Sequence, residues 1–78
     1  MSAITADHVL DTQGLSCPMP MLKTKKTMKN VASGQILEVI GTDPGSKNDI
    51  PDWIKKSGHE LVGSTDEGGV FRFFIKKG

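Results

Sequence analysis

The sequence has a single cysteine, no tyrosine and no long apolar run. One cysteine cannot form a disulfide within the chain, which excludes a small secreted scaffold held together by disulfides. One cysteine and two scattered histidines make a poor zinc site, and we expect neither a metal nor a cofactor. No stretch reaches the ~18 apolar residues of a membrane-spanning helix, and the first residues lack the pattern of a signal peptide. These absences predict a cytoplasmic protein with a reduced thiol and no membrane partner.

The chain also has little excess charge and little length. Its formal net charge is +1, whereas a dedicated nucleic-acid binder is usually clearly basic, so direct binding of nucleic acid is not expected. The 78 residues predict a single domain over residues 1–78. A chain of this size buries only about 60% of the surface that its unfolded form exposes. Any chemistry should therefore lie at the surface and depend on a second protein.

Hydrophobic spacing and turn residues predict six elements in the order β-α-β-α-β-β. Strands are expected over Asp7–Asp11, Ile36–Thr42, His59–Asp66 and Val70–Lys76, and helices from Pro18 to about Asn30 and from about Asp49 or Ile50 to Gly58. Helical connections favour parallel pairing of the early strands, and the final hairpin must be antiparallel. The expected fold class is a two-layer α/β (α+β) sandwich, with both helices on one face of a mixed four-stranded sheet.

Two details of the helices are specific enough to check. In the first helix, the apolar stripe is expected to consist of Met21, Leu22 and Met28. In the second helix, a proline in the interior would break the hydrogen-bond ladder, so we place Pro51 in the first turn. Ser46, with an aspartate three residues later, then resembles a capping box before that helix.

The cysteine lies in the segment Cys17-Pro18-Met19-Pro20, where a glycine-containing loop gives way to the first helix. If Cys17 caps the helix, Pro18 and Pro20 take the first and third helical positions. Proline has no N–H, so the Met19 amide is the donor that remains near the thiol. The helix dipole then lowers the pKa of the Cys17 thiol only modestly. The prolines mainly stiffen the backbone, which predicts a protruding thiol that other active sites can reach.

Other interpretations of these residues stay open on the sequence alone. A lone cysteine is often a buried apolar residue, and a lysine-rich helix face is often only solvated surface. The thiol could also act as a redox sensor in a regulatory or RNA-binding module that transfers no sulfur. Such a module would bind RNA weakly, with a strong dependence on salt and none on the cysteine. The near-neutral charge and the lack of aromatic stacking residues on a basic surface argue against RNA binding.

Several short motifs occur together in one order along the chain. They are Leu10-Asp11, Gly14-Leu15, Cys17-Pro18-x-Pro20, Asp43-Pro44, Asp49-Ile50-Pro51 and Gly58-His59. In this order they resemble the TusA family of small sulfur carriers, also called SirA-like, from about residue 8 to residue 77. The Cys-Pro-x-Pro element is the specific part of the resemblance, and no motif position departs from it.

The resemblance implies the same βαβαββ sandwich and a function. Cys17 would accept sulfane sulfur as a persulfide from a cysteine desulfurase or a rhodanese and pass it to an acceptor sulfurtransferase. Family members serve tRNA thiolation, dissimilatory sulfur oxidation and molybdenum cofactor metabolism. Pro18 and Pro20 would position the cysteine, whereas the matching residues Asp43, Asp49 and His59 carry no role that the sequence supports.

The resemblance leaves open whether such a protein counts as an enzyme. It would be a sulfurtransferase-type carrier that depends on partner enzymes. We expect it to be a monomer, and we expect the start of the first helix to form part of its docking surface. The residues expected to contact a partner there are Met19, Lys23, Lys25 and Lys26.

Overall fold

The computed structural model describes residues 6–16 and 18–78. Within them the chain forms six elements in the predicted order. They are β1 (His8–Thr12), α1 (Met19–Met28), β2 (Ile36–Gly41), α2 (Pro44–Ser57), β3 (Glu60–Glu67) and β4 (Val70–Lys76). Two helices and a mixed four-stranded sheet confirm the predicted fold class.

The sheet has the strand order β1-β2-β4-β3. β1 and β2 pair in parallel, as predicted from the helix between them, and β3 and β4 form the predicted antiparallel hairpin. β4 is also antiparallel to β2, so β1, β2 and β3 all run in one direction. The loops that follow these three strands therefore lie at the same end of the sheet. The loop of residues 13–16 that leads to Cys17, the start of α2 and the β3–β4 turn all lie at that end.

One face of the sheet packs against both helices and forms the core. The buried apolar side chains come from α1, β2, α2, β4 and the turn after α1. They are Met28, Val31, Leu37, Val39, Ile50, Ile54, Phe71, Phe73 and Ile75. The alternation in β4 is as predicted, with Phe71, Phe73 and Ile75 buried and Arg72 exposed. Because α1 and α2 also contact each other, they cover the same face and leave the other face of the sheet open.

Helix α1 begins and packs differently from the prediction. It starts at Met19 rather than Pro18, and its buried residues are Pro20, Thr24 and Met28. Met21 is half-buried against the core, but Leu22 is 51% exposed, so the expected apolar stripe was wrong at that position. Thr24 is buried on this helix instead. Its hydroxyl donates to the Pro20 carbonyl at 2.7 Å, so that burial leaves no polar group without a partner.

Helix α2 is longer than predicted, because it starts at Pro44 and contains Pro51 in its interior. The predicted start near Asp49 or Ile50 and the capping box at Ser46 were both wrong. Asp43 is the N-cap, and its carboxylate accepts hydrogen bonds from the Ser46 amide at 3.0 Å and the Ser46 hydroxyl at 2.9 Å. The helix tolerates the missing N–H of Pro51 because this cap, and the burial of Ile50 and Ile54 on either side, stabilise it.

The segment after β4 closes the end of α1. The Lys77 ammonium donates to the carbonyl of Met28 at 2.7 Å and to that of Val31 at 3.0 Å. The Lys77 amide donates to the Gln35 carbonyl at 2.9 Å, which holds the same segment against the turn before β2. A cation that hydrogen-bonds carbonyls at a helix C-terminus stabilises that end.

We predict that Lys77→Ala lowers the free energy of unfolding by about 1–2 kcal/mol, because the charge-assisted hydrogen bonds to the Met28 and Val31 carbonyls are lost. Lys76→Ala is the matched control, since Lys76 is exposed at the end of β4 and should change stability by less than about 0.5 kcal/mol. Urea unfolding of the two variants measures the difference. Equal effects of the two substitutions would contradict a capping role for Lys77.

Candidate functional site

The loop that leads from β1 to Cys17 is held by hydrogen bonds from two strands. The Thr12 hydroxyl donates to the Ile40 carbonyl at 2.6 Å, and the Leu15 amide donates to the Thr12 carbonyl at 3.2 Å. The Gly14 amide donates to the Thr42 hydroxyl at 3.1 Å. Gly14 has φ 82°, a conformation that other residues adopt only with strain, which explains the glycine in this loop. The backbone just before the cysteine is therefore fixed to the sheet.

The residues on either side of Cys17 are exposed. Cys17 itself lies outside the described residues, so its predicted protrusion and acidity stay predictions. Ser16 and Pro18 are exposed, and the Met19 amide donates to the Ser16 carbonyl at 2.9 Å. The amide that we expected to be available near the thiol is thus already paired with a carbonyl.

The two prolines of the motif occupy different positions from those predicted. Pro18 is the N-cap, with φ −96° and ψ 9°, so Met19 is the first helical residue and Pro20 the second. Neither proline removes a hydrogen bond that α1 needs, because the first amides of a helix have no partner within it. Pro18 is exposed, whereas Pro20 is buried beneath the start of the helix. The two prolines therefore differ in what they contact.

A groove between α1 and α2 opens beside Pro18. Its volume is about 330 Å³, and its walls combine apolar and charged side chains. The lining residues are Pro18, Met21, Lys25, Asp49, Asp52, Trp53 and Lys56. No sequence pattern indicates this groove, because it depends on how the two helices pack. Because its lining includes Pro18, the residue that follows Cys17, this groove is the candidate surface for a partner.

The four residues predicted to contact a partner divide into two groups. Lys25 lines the groove, whereas Lys23 and Lys26 are exposed on α1 outside the groove lining. Met19 is 43% exposed, and Leu22, one turn further along α1, is 51% exposed. Leu22 was missed because its apolar character suggested a core position. Together, the exposed apolar side chains of Met19 and Leu22 and the Lys25 ammonium give α1 the composition of a small docking surface.

The structure also places the three motif residues that lacked a role. Asp43 caps α2, and Asp49 forms part of the groove wall. His59 follows the end of α2, and the centroid of its ring lies 5.4 Å from that of Trp53, at an interplanar angle of 58°. Burial, and then the charge of Lys77, lower the pKa of His59, so its ring is neutral at neutral pH.

Within residues 6–16 and 18–78, histidine and carboxylate side chains form no cluster of three or more that could hold a metal ion. In the same residues, neither helix has the length and apolar character needed to cross a membrane.

Comparison with known proteins gives one consistent family. Residues 8–77 match the family model described as "Sulfurtransferase TusA". The chain is 55% identical over 73 residues to "Putative sulfur carrier protein YrkI" of Bacillus subtilis, covering 94% of this chain and 97% of that protein. It is 52% identical over 71 residues to "Sulfur carrier protein TusA" of Allochromatium vinosum, covering 91% and 93%. The crystal structure of a SirA-like protein from Desulfitobacterium hafniense superposes with a TM-score of 0.74 at 20% identity, covering 91% and 97%, and shares the fold.

The different surroundings of the two prolines generate a prediction. Pro20→Ala should lower the free energy of unfolding by about 1–3 kcal/mol, because it removes buried methylene groups and raises the conformational entropy of the unfolded chain. Pro18→Ala is the control at an exposed position and should cost less than about 1 kcal/mol. Thermal unfolding of both variants checks this. A greater loss with Pro18→Ala would contradict the burial of Pro20 as the main contribution.

Proposed function

This chain belongs to the TusA family, and we propose that it is a sulfur carrier whose covalent site is Cys17. The observation that carries the proposal is the position of this sole cysteine, in a Cys-Pro-x-Pro segment between a loop fixed to the sheet and the start of α1. Pro18 and Pro20 hold the chain on the far side of the cysteine. We propose a cysteine desulfurase or a rhodanese as the donor and a sulfurtransferase as the acceptor.

The chemistry requires only one thiol in the carrier. The Cys17 thiolate attacks the outer sulfur of a persulfide on the donor, so that a bond forms between the two sulfurs. The S–S bond of the donor breaks, and the donor leaves as a thiolate. An acceptor thiolate then attacks the outer sulfur on Cys17 in the same way and regenerates the Cys17 thiolate. No net oxidant or reductant is consumed in either transfer.

The surroundings of the cysteine support this exchange. Ser16 and Pro18 are exposed, so a partner can approach the chain on both sides of Cys17. The chain has no second cysteine that could attack the persulfide and release the sulfur before delivery. A carrier needs access for two different partners more than it needs a strongly acidic thiol, and the paired Met19 amide agrees with a modest acidity.

We propose that partners dock on α1 beside the groove, on Met19 at its start, Leu22 in its middle and Lys25 in its last turn. Exposed apolar side chains next to a lysine suit a partner surface with an apolar centre and an acidic rim. Donor and acceptor would use this surface in turn, since both must reach the same sulfur. The acceptor sets the pathway, whether tRNA thiolation, sulfur oxidation or molybdenum cofactor metabolism.

The covalent site is tested by intact mass. After incubation with a cysteine desulfurase and cysteine, the wild-type chain should gain the mass of sulfur, and a reductant should remove it. Cys17→Ser should gain no sulfur under the same conditions. A gain of sulfur by Cys17→Ser, or no gain by the wild type with several desulfurases and rhodaneses, would reject the proposal.

The docking surface is tested by charge reversal. Lys25→Glu should raise the Michaelis constant for sulfur loading by a desulfurase roughly fivefold, with little change in the maximal rate, because the favourable charge at the groove is inverted. Lys76→Glu reverses an exposed charge at the end of β4, opposite Ile36 at the start of β2, and serves as the control. Thermal unfolding verifies that both variants are folded. Equal Michaelis constants for the two variants would place docking elsewhere.

A further inference from the structure

His59 lies where α2, β3 and the segment after β4 meet. It follows Gly58, which ends α2 with φ 84°, and its side chain is half-buried. One side of its ring faces Trp53, with 5.4 Å between the ring centroids. Its Nδ1 accepts a hydrogen bond from the Gly78 amide at 3.0 Å, which places the proton of the neutral ring on Nε2. The ring is therefore held from two directions.

Trp53 connects this histidine to the candidate docking site. Its half-buried indole packs against the core and lines the groove that also includes Pro18. A movement of the indole would change the shape of the groove next to the residue that follows Cys17. The contact with His59 is an aromatic contact on the indole, from outside the groove lining.

We propose that His59 is a positioning residue for the docking groove, because its ring, fixed by the Gly78 amide, holds the Trp53 indole in the place that a partner requires. This inference rests on the proposed function, in which partners dock beside Pro18. It assigns no catalytic step to His59. It also gives a role to a motif residue whose role the sequence left open.

The geometry makes the position of the indole sensitive to pH. Protonation of His59 turns Nδ1 from an acceptor into a donor, which breaks the hydrogen bond from Gly78. The charged residues nearest to His59 along the adjoining elements are Lys55 and Lys56 at the end of α2, Glu60 at the start of β3, Lys76 at the end of β4, and Lys77. Burial first, and the charge of Lys77 second, lower the pKa of His59.

The sign of the effect follows from that lowered pKa. Because the folded protein favours the neutral ring, the stabilisation is fully present above the pKa of an ordinary histidine. It is lost as the pH falls through the lower pKa of His59 in the folded state. Docking should therefore be constant at neutral pH and weaken under acidic conditions.

The first experiment follows the indole in the free protein, without any partner. Trp53 is the only tryptophan and tyrosine is absent, so the fluorescence reports on this side chain. At neutral pH, His59→Ala should raise the acrylamide quenching constant roughly twofold, since the indole loses a neighbour that shields it. His59→Phe keeps a ring beside the indole but cannot accept from the Gly78 amide, so it should restore only part of the protection. Unchanged quenching in His59→Ala would overturn the proposal.

The pH profile of the same signal separates positioning from general packing. Between about pH 8 and about pH 5, the wild type should show a titration step in quenching that His59→Phe lacks. His8→Gln is the control, since His8 is the other histidine and bonds the Gln35 side chain before β2, and it should keep the step. A step that persists in His59→Phe would overturn the proposal.

The second experiment measures sulfur loading of the full chain by a cysteine desulfurase. His59→Ala should raise the Michaelis constant roughly threefold at neutral pH with an unchanged maximal rate. His59→Phe, which lacks the acceptor for the Gly78 amide, should reverse only part of that rise. If the indole moves but the Michaelis constant does not, the positioning role is rejected. If the wild type takes up no sulfur at all, the proposed function fails, and the positioning role for docking is withdrawn with it, even where the fluorescence results hold.

Discussion

Parallel pairing of β1 with β2 is the constraint on which the rest of the structure depends. It brings Thr12 beside Ile40 and Gly14 beside Thr42, and the hydrogen bonds between these residues fix the loop before Cys17. It also requires α1 to cross back over the sheet, so that α1 and α2 begin at the same end of the sheet. This pairing thus fixes the loop before Cys17 and places the starts of both helices at the same end of the sheet.

Hydrogen bonds at the ends of the helices add to the stability that the core supplies. The core is one layer of apolar side chains between the helices and one sheet face. Asp43 caps the start of α2, and Lys77 caps the end of α1 from a segment far away in the sequence. An N-cap contributes about 1 kcal/mol, which matters in a domain whose total stability is about 5–15 kcal/mol.

The sequence was sufficient for the fold class, because alternation in β4 and helical spacing in α2 reflect contacts that each element makes with a single core face. It was insufficient where one residue can satisfy a polar group locally. Thr24 is buried because its hydroxyl reaches the Pro20 carbonyl, and Leu22 is exposed in its place. Likewise, Pro51 suggested a late start for α2, although capping by Asp43 and burial of its neighbours outweigh one missing hydrogen bond.

The candidate site divides in the same way. The motif around Cys17 could be read directly from the chain, and so could the lysines of α1. The groove could not, since Lys25 and Trp53 come together only when α1 packs against α2. The contact of His59 with Trp53 likewise depends on where the chain returns after α2.

The most direct test is chemical detection of the carried sulfur after the donor has been removed. Cyanide attacks the outer sulfur of a persulfide, releases thiocyanate and leaves the cysteine as a thiolate. A chain loaded by a desulfurase and then separated from it should yield about one equivalent of thiocyanate, and Cys17→Ser should yield none. The same yield from Cys17→Ser, or none from the loaded wild type, would contradict a sulfur carrier that works through this cysteine.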